Sequence, residues 1–201
     1  MPIKIAVLAV QGAFIEHVQV LKALGAETVE IRSAKDAQQE FDGLILPGGE
    51  STAQAKLLHD LNIYRILDQK IKMGLPVYGT CAGMILLAEK LENDTRKHFG
   101  AIKIIVKRNA FGRQSGSFVA KADFATKGQI TMPFIRAPYI VSCGSGVEVL
   151  AKVKNLVVAA RENNVLVTAF HPEVTKELVV HDYFLQMIRN KIEINKFCKE
   201  A

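Results

Sequence analysis

Between a short apolar run, Leu75 to Tyr78, and a helix-patterned run, Met84 to Leu91, the chain reads Gly79-Thr80-Cys81-Ala82-Gly83. Few five-residue segments narrow a fold so far. The pattern is the thiol counterpart of G-x-S-x-G, in which a strand turns abruptly into a helix and the middle side chain is lifted clear of the sheet. The flanking glycines are expected to permit the strained turn. Cys81 is then the candidate nucleophile, and a helix N-terminus is a setting that favours thiolate over thiol.

Such a sulfur needs a base. Far along the chain a strand-like run, Val165 to Phe170, ends in His171-Pro172-Glu173. Pro172 fixes its own φ and disfavours helix at His171, so imidazole and carboxylate leave the strand in a set geometry. A Cys81–His171–Glu173 constellation forms only if the strands before Cys81 and His171 end at the same edge of one sheet, as a parallel α/β fold would arrange them.

The first half of the sequence supports that fold. Ile3 to Val10 is a continuous apolar run suited to a strand covered on both faces. Phe14, Val18, Leu21 and Leu24 follow at helical spacing and stop at Gly25. Strands are expected at Thr28 to Ile31 and Gly43 to Leu46. Ser51 is the expected N-cap of the next helix, and another helix spans Ile63 to Met73. This alternation predicts an α/β chain with a parallel sheet and helices on both faces. After Leu91 the texture turns to β: Ala101 to Lys107, Ser117 to Phe124, Phe134 to Val141, Val147 to Val153, Leu156 to Ala160 and Val165 to Phe170, with Asn163-Asn164 as a hairpin turn. A last helix, Lys176 to about Ile192, closes the core. With 201 residues, 49% of them hydrophobic, and no repeat or linker, one domain over 1–201 is expected.

Composition removes several functions. No apolar stretch is long enough to span a bilayer, and Met1-Pro2-Ile3-Lys4 runs straight into a strand pattern. The three cysteines, Cys81, Cys143 and Cys198, contain no C-x-x-C pair, so neither a disulfide framework nor a metal site is expected. A cytoplasmic protein fits. The formal charge of +6 is spread over helices and loops without an aromatic-interleaved stripe, so neither nucleic acid nor membrane is an expected partner.

If Cys81 attacks an acyl carbon, the developing oxyanion needs N–H donors, each worth on the order of a hundredfold in rate. The N–H of Ala82 is one candidate, and Gly49, in the loop Pro47-Gly48-Gly49-Glu50-Ser51 after the third strand, is the other. Arg136 interrupts an apolar run, either as a paired buried cation or as a fork for a substrate carboxylate. Arg108 is open to the same two readings.

Taken together, Leu8-Ala9-Val10-Gln11-Gly12, Leu46-Pro47-Gly48-Gly49-Glu50-Ser51-Thr52, the Cys81 elbow, Arg108-Asn109-Ala110-Phe111-Gly112-Arg113-Gln114, Phe134-Ile135-Arg136-Ala137-Pro138 and Phe170-His171-Pro172-Glu173 resemble the class I glutamine amidotransferases, and among them the glutaminase subunits of pyridoxal 5'-phosphate synthases. The resemblance implies a flavodoxin-like three-layer sandwich with a mixed, mostly parallel sheet and a small antiparallel section. It implies Cys81 as nucleophile, His171 as general base and acid, and Glu173 as the residue orienting His171. Glutamine contacts fall to Gly48, Gly49, Glu50, Arg108, Ile135 and Arg136. Gln11 matches a position near the oxyanion site and the subunit contact, which would couple partner docking to activity. The glutaminase binds no cofactor and passes ammonia to a synthase barrel in a large hetero-oligomer. The chain departs from the family pattern at Ile15, at Ala53 and at Gly116-Ser117-Phe118-Val119.

Two rivals stay open: a glutaminase subunit of another synthase, such as that making imidazole glycerol phosphate, and a non-enzymatic regulatory module on the same fold. Bland roles also compete at single residues. His17, His59, His98 and His181 read as surface or satisfied histidines. Glu173 suits the first turn of the last helix, and Glu50 that of the helix after its loop.

Overall fold

A computed structural model of the chain describes residues 2–92, 94–108 and 116–200, excluding the side chains of 195, 196 and 198–200. The elements in chain order are β1 (Lys4–Leu8), α1 (Phe14–Ala23), β2 (Glu27–Ile31), α2 (Ala34–Gln38), β3 (Gly43–Leu46), α3 (Ser51–Asp60), α4 (Tyr64–Lys72), β4 (Val77–Thr80), α5 (Ala82–Leu87) and β5 (Ala88–Leu91). The second half contributes β6 (Ile102–Lys107), β7 (Ser117–Asp123), β8 (Gln129–Ile135), β9 (Tyr139–Cys143), β10 (Glu148–Val153), β11 (Leu156–Glu162), β12 (Val165–Thr168) and α6 (Val179–Glu200).

The central sheet runs β2-β1-β3-β4-β12-β11-β9-β6-β5, with β10 paired to β11, while β7 and β8 form a separate antiparallel ribbon. β2, β1, β3, β4 and β12 are mutually parallel. β3, β4 and β12 are mostly apolar and buried at every position, which is what a strand covered on both faces requires. β11 then turns antiparallel through the Asn163-Asn164 hairpin, with Asn163 at φ 51°. The sequence therefore predicts the mixed, mostly parallel sheet correctly.

β4 shows how the layers are divided. Tyr78 points to one face, where its ring meets His17, His181 and Phe184 of α1 and α6. Gly79 points to the other, where α5 lies so close that an added Cβ would fall 2.6 Å from the Gly83 carbonyl carbon. Successive strand residues alternate faces, so α1 and α6 form one layer and α5, with α3 beside it, the other.

Four expectations need correction. The run Met84 to Leu91 is not one helix: α5 stops at Leu87, and β5 follows, pairing parallel with β6. Phe134 to Val141 is two strands, because Arg136 adopts φ 46° and Pro138 lacks the N–H a ladder needs. Glu50, not Ser51, is the N-cap of α3; its carboxylate accepts from Thr52 N and Ala53 N at 3.0 and 2.7 Å. The last helix begins at Val179, so Glu173 is not part of its first turn. α2 was not expected; Ser33 and Asp36 close a capping box at its start.

Candidate active site

The pairing of β4 with β12 builds the site. Their parallel register places Thr80 beside Thr168, so both chains leave the sheet at the same edge. Cys81 follows Thr80 and donates its backbone N–H to Thr168 O at 2.8 Å. His171 follows Thr168 by three residues and is held by its N–H to Pro133 O of β8 at 2.8 Å. A sulfur and an imidazole 90 positions apart thus share one strand edge.

Cys81 stands at φ 47° and ψ −96°, a left-handed conformation that side chains rarely adopt. The strain falls on the cysteine itself. Neither Gly79 nor Gly83 has positive φ, contrary to the expectation that glycines relieve the turn. They are required for close approach instead: a Cβ on Gly83 would lie 2.0 Å from Leu46 O. The Cys81 sulfur is 4.0 Å from Ile135 O.

His171 Nδ1 lies 2.8 Å from Glu173 Oε1, with the carboxylate fully buried behind the ring. Glu173 reaches it from a single 3-10 turn, Pro172–Val174, that Pro172 starts. Burial alone would push the imidazole pKa down. The neighbouring Cys81 sulfur and the hydrogen-bonded, negatively charged Glu173 outweigh it and raise the pKa to about 10. Nδ1 is occupied by the carboxylate, which leaves Nε2 toward the sulfur; among the described residues Nε2 has no closed hydrogen bond.

A cavity of about 600 Å³ opens above this pair. Its walls include every residue expected to contact substrate: Gly48, Gly49, Glu50, Arg108, Ile135 and Arg136, together with Cys81, His171 and Gln11. Ala82, expected as an oxyanion donor, is buried at the head of α5. Gly48 packs against the His171 ring so closely that a Cβ there would fall 2.2 Å from Cε1. Gln11 accepts from Glu50 N at 2.9 Å through its side-chain oxygen. Partial burial works against ionisation of Glu50, but N–H groups of Thr52 and Ala53 and the Arg108 guanidinium, 3.4 Å away, hold its carboxyl below the ordinary range. Arg108 also lies 3.7 Å from Asp94. Arg136 is exposed at the cavity wall and forms no ion pair among the described residues, so the buried-cation reading is excluded. Positions 109–115 of the arginine loop lie outside the described residues.

Sequence reasoning missed three contributors. Gln54 is fully buried and donates to Gln11 O and Pro47 O at 3.0 and 3.1 Å, stitching two cavity loops together. His17 and His181, read as unremarkable, are fully buried and bonded to each other at 2.8 Å, with His17 Nε2 3.6 Å from Glu173 Oε1. The signal was present: His17 lies on the stripe of Phe14, Val18 and Leu21, and His181 on that of Phe184, Leu185 and Ile188.

A buried Cys–His–Glu set at the carboxyl edge of a flavodoxin-like, mostly parallel sheet defines the class I glutamine amidotransferase architecture. A solved structure titled as a glutamine amidotransferase superposes with a TM-score of 0.86 at 39% identity, covering 92% of this chain and 98% of that one. The chain belongs to the SNO glutamine amidotransferase family, whose model matches residues 7–190. It is 53% identical over 185 residues to pyridoxal 5'-phosphate synthase subunit PdxT of Desulfitobacterium hafniense (strain Y51), covering 92% of this chain and 93% of the relative. It is 52% identical over 189 residues to the subunit of that name in Haemophilus influenzae (strain PittGG), covering 92% and 98%. A putative GMP synthase subunit from Thermoplasma acidophilum, 20% identical with a TM-score of 0.71, shares the fold. No helix among the described residues is long and apolar enough to cross a membrane.

Proposed function

We propose that this chain hydrolyses the side-chain amide of L-glutamine to glutamate and ammonia, and delivers the ammonia to a pyridoxal 5'-phosphate synthase barrel subunit. The observation that carries the chemistry is the shared edge of β4 and β12, which sets Cys81 and a Glu173-held His171 on one cavity.

His171 takes the thiol proton, and the sulfur attacks the amide carbon. The N–H groups of Gly49 and Ala82 are the donors for the tetrahedral oxyanion. The Glu173 carboxylate beside the ring favours the imidazolium, which holds that proton until the leaving amine accepts it, so ammonia departs and a Cys81 thioester remains. Water, deprotonated by His171, then releases glutamate. Glu173 orients the ring and does not react. The substrate's charged amino-acid end has charges of both signs available to it: the Glu50 carboxylate for its ammonium, and Arg108 and Arg136 for its carboxylate. Gln11, bonded to the Glu50 N–H, is the residue we assign to coupling partner docking with the cavity.

The names of the PdxT relatives, at about half identity over nearly the whole chain, favour this synthase over one making imidazole glycerol phosphate. They also favour an enzyme over a regulatory module. The test is ammonia release from glutamine, with and without the synthase barrel, by the wild-type chain and Cys81→Ala. Wild-type release that the substitution abolishes is expected; full turnover by Cys81→Ala would refute the assignment.

A further inference from the structure

Behind the catalytic set lies a chain of buried polar groups that the steps above leave unused. His17 Nδ1 is 2.8 Å from His181 Nε2, and His17 Nε2 is 3.2 Å from Thr80 Oγ1 and 3.6 Å from Glu173 Oε1. His17, His181 and Thr80 are all fully buried. Polar groups taken out of water cost stability that apolar residues of similar size would not, so their placement calls for a reason.

Proton arithmetic gives one. Burial, with His181 and His171 nearby, pushes the His17 pKa well below its ordinary value, and burial brings His181 down to about 3. Both rings are neutral at pH 7, and each carries one N–H. If His17 were protonated on Nδ1, it would donate to His181. His181 Nδ1, which has no partner among the described residues, would then be an orphaned donor, and a bare His17 nitrogen would face the Glu173 carboxylate. If both rings carry the proton on Nε2, His181 donates to His17 Nδ1, and His17 Nε2–H points at Thr80 Oγ1 and Glu173 Oε1. The orphan is then only an acceptor. Buried donors without partners are the rarer case, and the second arrangement turns a positive dipole toward the carboxylate.

We infer that His17, backed by His181, is a positioning residue for the catalytic set, fixing from α1 both Glu173 and the residue preceding the nucleophile. One ring contacts the end of β4 at Thr80 and the carboxylate that holds His171, so it ties the sulfur's strand to the base's support. The 3.6 Å separation from Glu173 is longer than a closed hydrogen bond and acts as a dipole-to-charge contact. Glu173 Oε1 is thereby held between His171 Nδ1 on one side and His17 Nε2 on the other.

The inference rests on the glutaminase reading, and its test separates the two. With the synthase barrel present, His17→Leu is expected to lower kcat roughly tenfold, equivalent to about 1.4 kcal/mol of transition-state stabilisation, with KM for glutamine within about twofold. His17→Gln, which keeps an N–H near the Nε2 position, should recover most of the loss. A His17→Leu kcat equal to that of an active wild type, a loss confined to KM, or a His17→Gln no better than His17→Leu overturns the positioning role. Should His17→Leu not fold, nitrogen-15 NMR of the wild-type histidines decides: Nε2–H tautomers for His17 and His181 are expected, and Nδ1–H on His17 overturns the inference. A wild type that releases no ammonia in either condition refutes the glutaminase reading itself.

Discussion

Replacing Gly48 by alanine probes the site where its geometry is tightest. The new methyl carbon would sit 2.2 Å from His171 Cε1 and 2.7 Å from Nδ1. Carbon atoms settle at about 3.5–4.0 Å, so ring and loop must part by at least about 1.3 Å. Neither is free to do so. The ring is pinned by Glu173 at 2.8 Å. The loop is pinned by Ala13 N–H on Gly48 O at 2.9 Å and by Gln54 on Pro47 O at 3.1 Å. Overpacking of this kind costs about 1–3 kcal/mol. For a chain of this length that amounts to a fall in Tm of about 2–12 °C. Displacing a catalytic group by about 1 Å costs on the order of 100-fold in rate. Gly48→Ala should therefore remain folded but lose about two orders of magnitude in kcat, measured as ammonia release with the synthase barrel present. Gly116→Ala, whose methyl meets nothing within 4 Å among the described residues, is the control and should match wild type in Tm. A Gly48→Ala kcat within twofold of wild type would show that the His171 position is not what limits the reaction.

Gly83→Ala should be worse for the fold than for the chemistry, because its methyl meets Leu46 backbone at 2.0 Å and α5 must lift off β3; a denaturant midpoint reporting a loss above about 3 kcal/mol is expected, and a smaller one refutes the close-approach reading. Arg108→Met should raise KM for glutamine roughly tenfold or more while sparing kcat, as loss of a charge-assisted contact made equally in ground and transition states would; an unchanged KM removes Arg108 from the binding set. His181 has a folded pKa of about 3 against about 6.5 unfolded, so the unfolded chain binds the extra proton in between, and stability falls as pH drops from about 6.5 toward 3. His181→Gln should flatten that acid limb by up to about 1.4 kcal/mol per pH unit, and an unaltered slope would show that His181 does not titrate there.

How much of this was legible in the sequence depends on what set each feature. β1, β3, β4 and β12 were readable because continuous apolar runs bounded by glycine, proline or histidine leave few alternatives. The Cys81–His171 encounter follows once those strands run parallel. The α5–β5 break was not readable: Met84 to Ala88 is apolar and the run stays compatible with helix to Leu91, so only pairing with β6 converts its end to a strand. The kink at Arg136 was hidden for a like reason, since a positive φ on a non-glycine residue is imposed by its surroundings, here by Arg136 N–H on Gly116 O. Glu50 and Ser51 are both suited to start a helix, and it is the Glu50 carboxylate that reaches the free N–H groups of Thr52 and Ala53. His17 and His181 escaped notice because each, alone on an apolar stripe, is ordinary; only the packing of α1 on α6 makes them a pair.

The slot filled by β12 also imposes an order of events on a chain emerging from the ribosome. By residue 80 the strands β2-β1-β3-β4 have all been synthesised, and the next residue is Cys81, the proposed nucleophile, yet the far side of β4 has no neighbour until residues 165–168 arrive. A nascent chain elongated no further than residue 160 carries a sulfur without an imidazole and a sheet with an unpaired border, the kind that recruits chaperones or other strands. Sealing that border also brings His171 to Cys81, so under the proposed chemistry a half-made copy spills no ammonia.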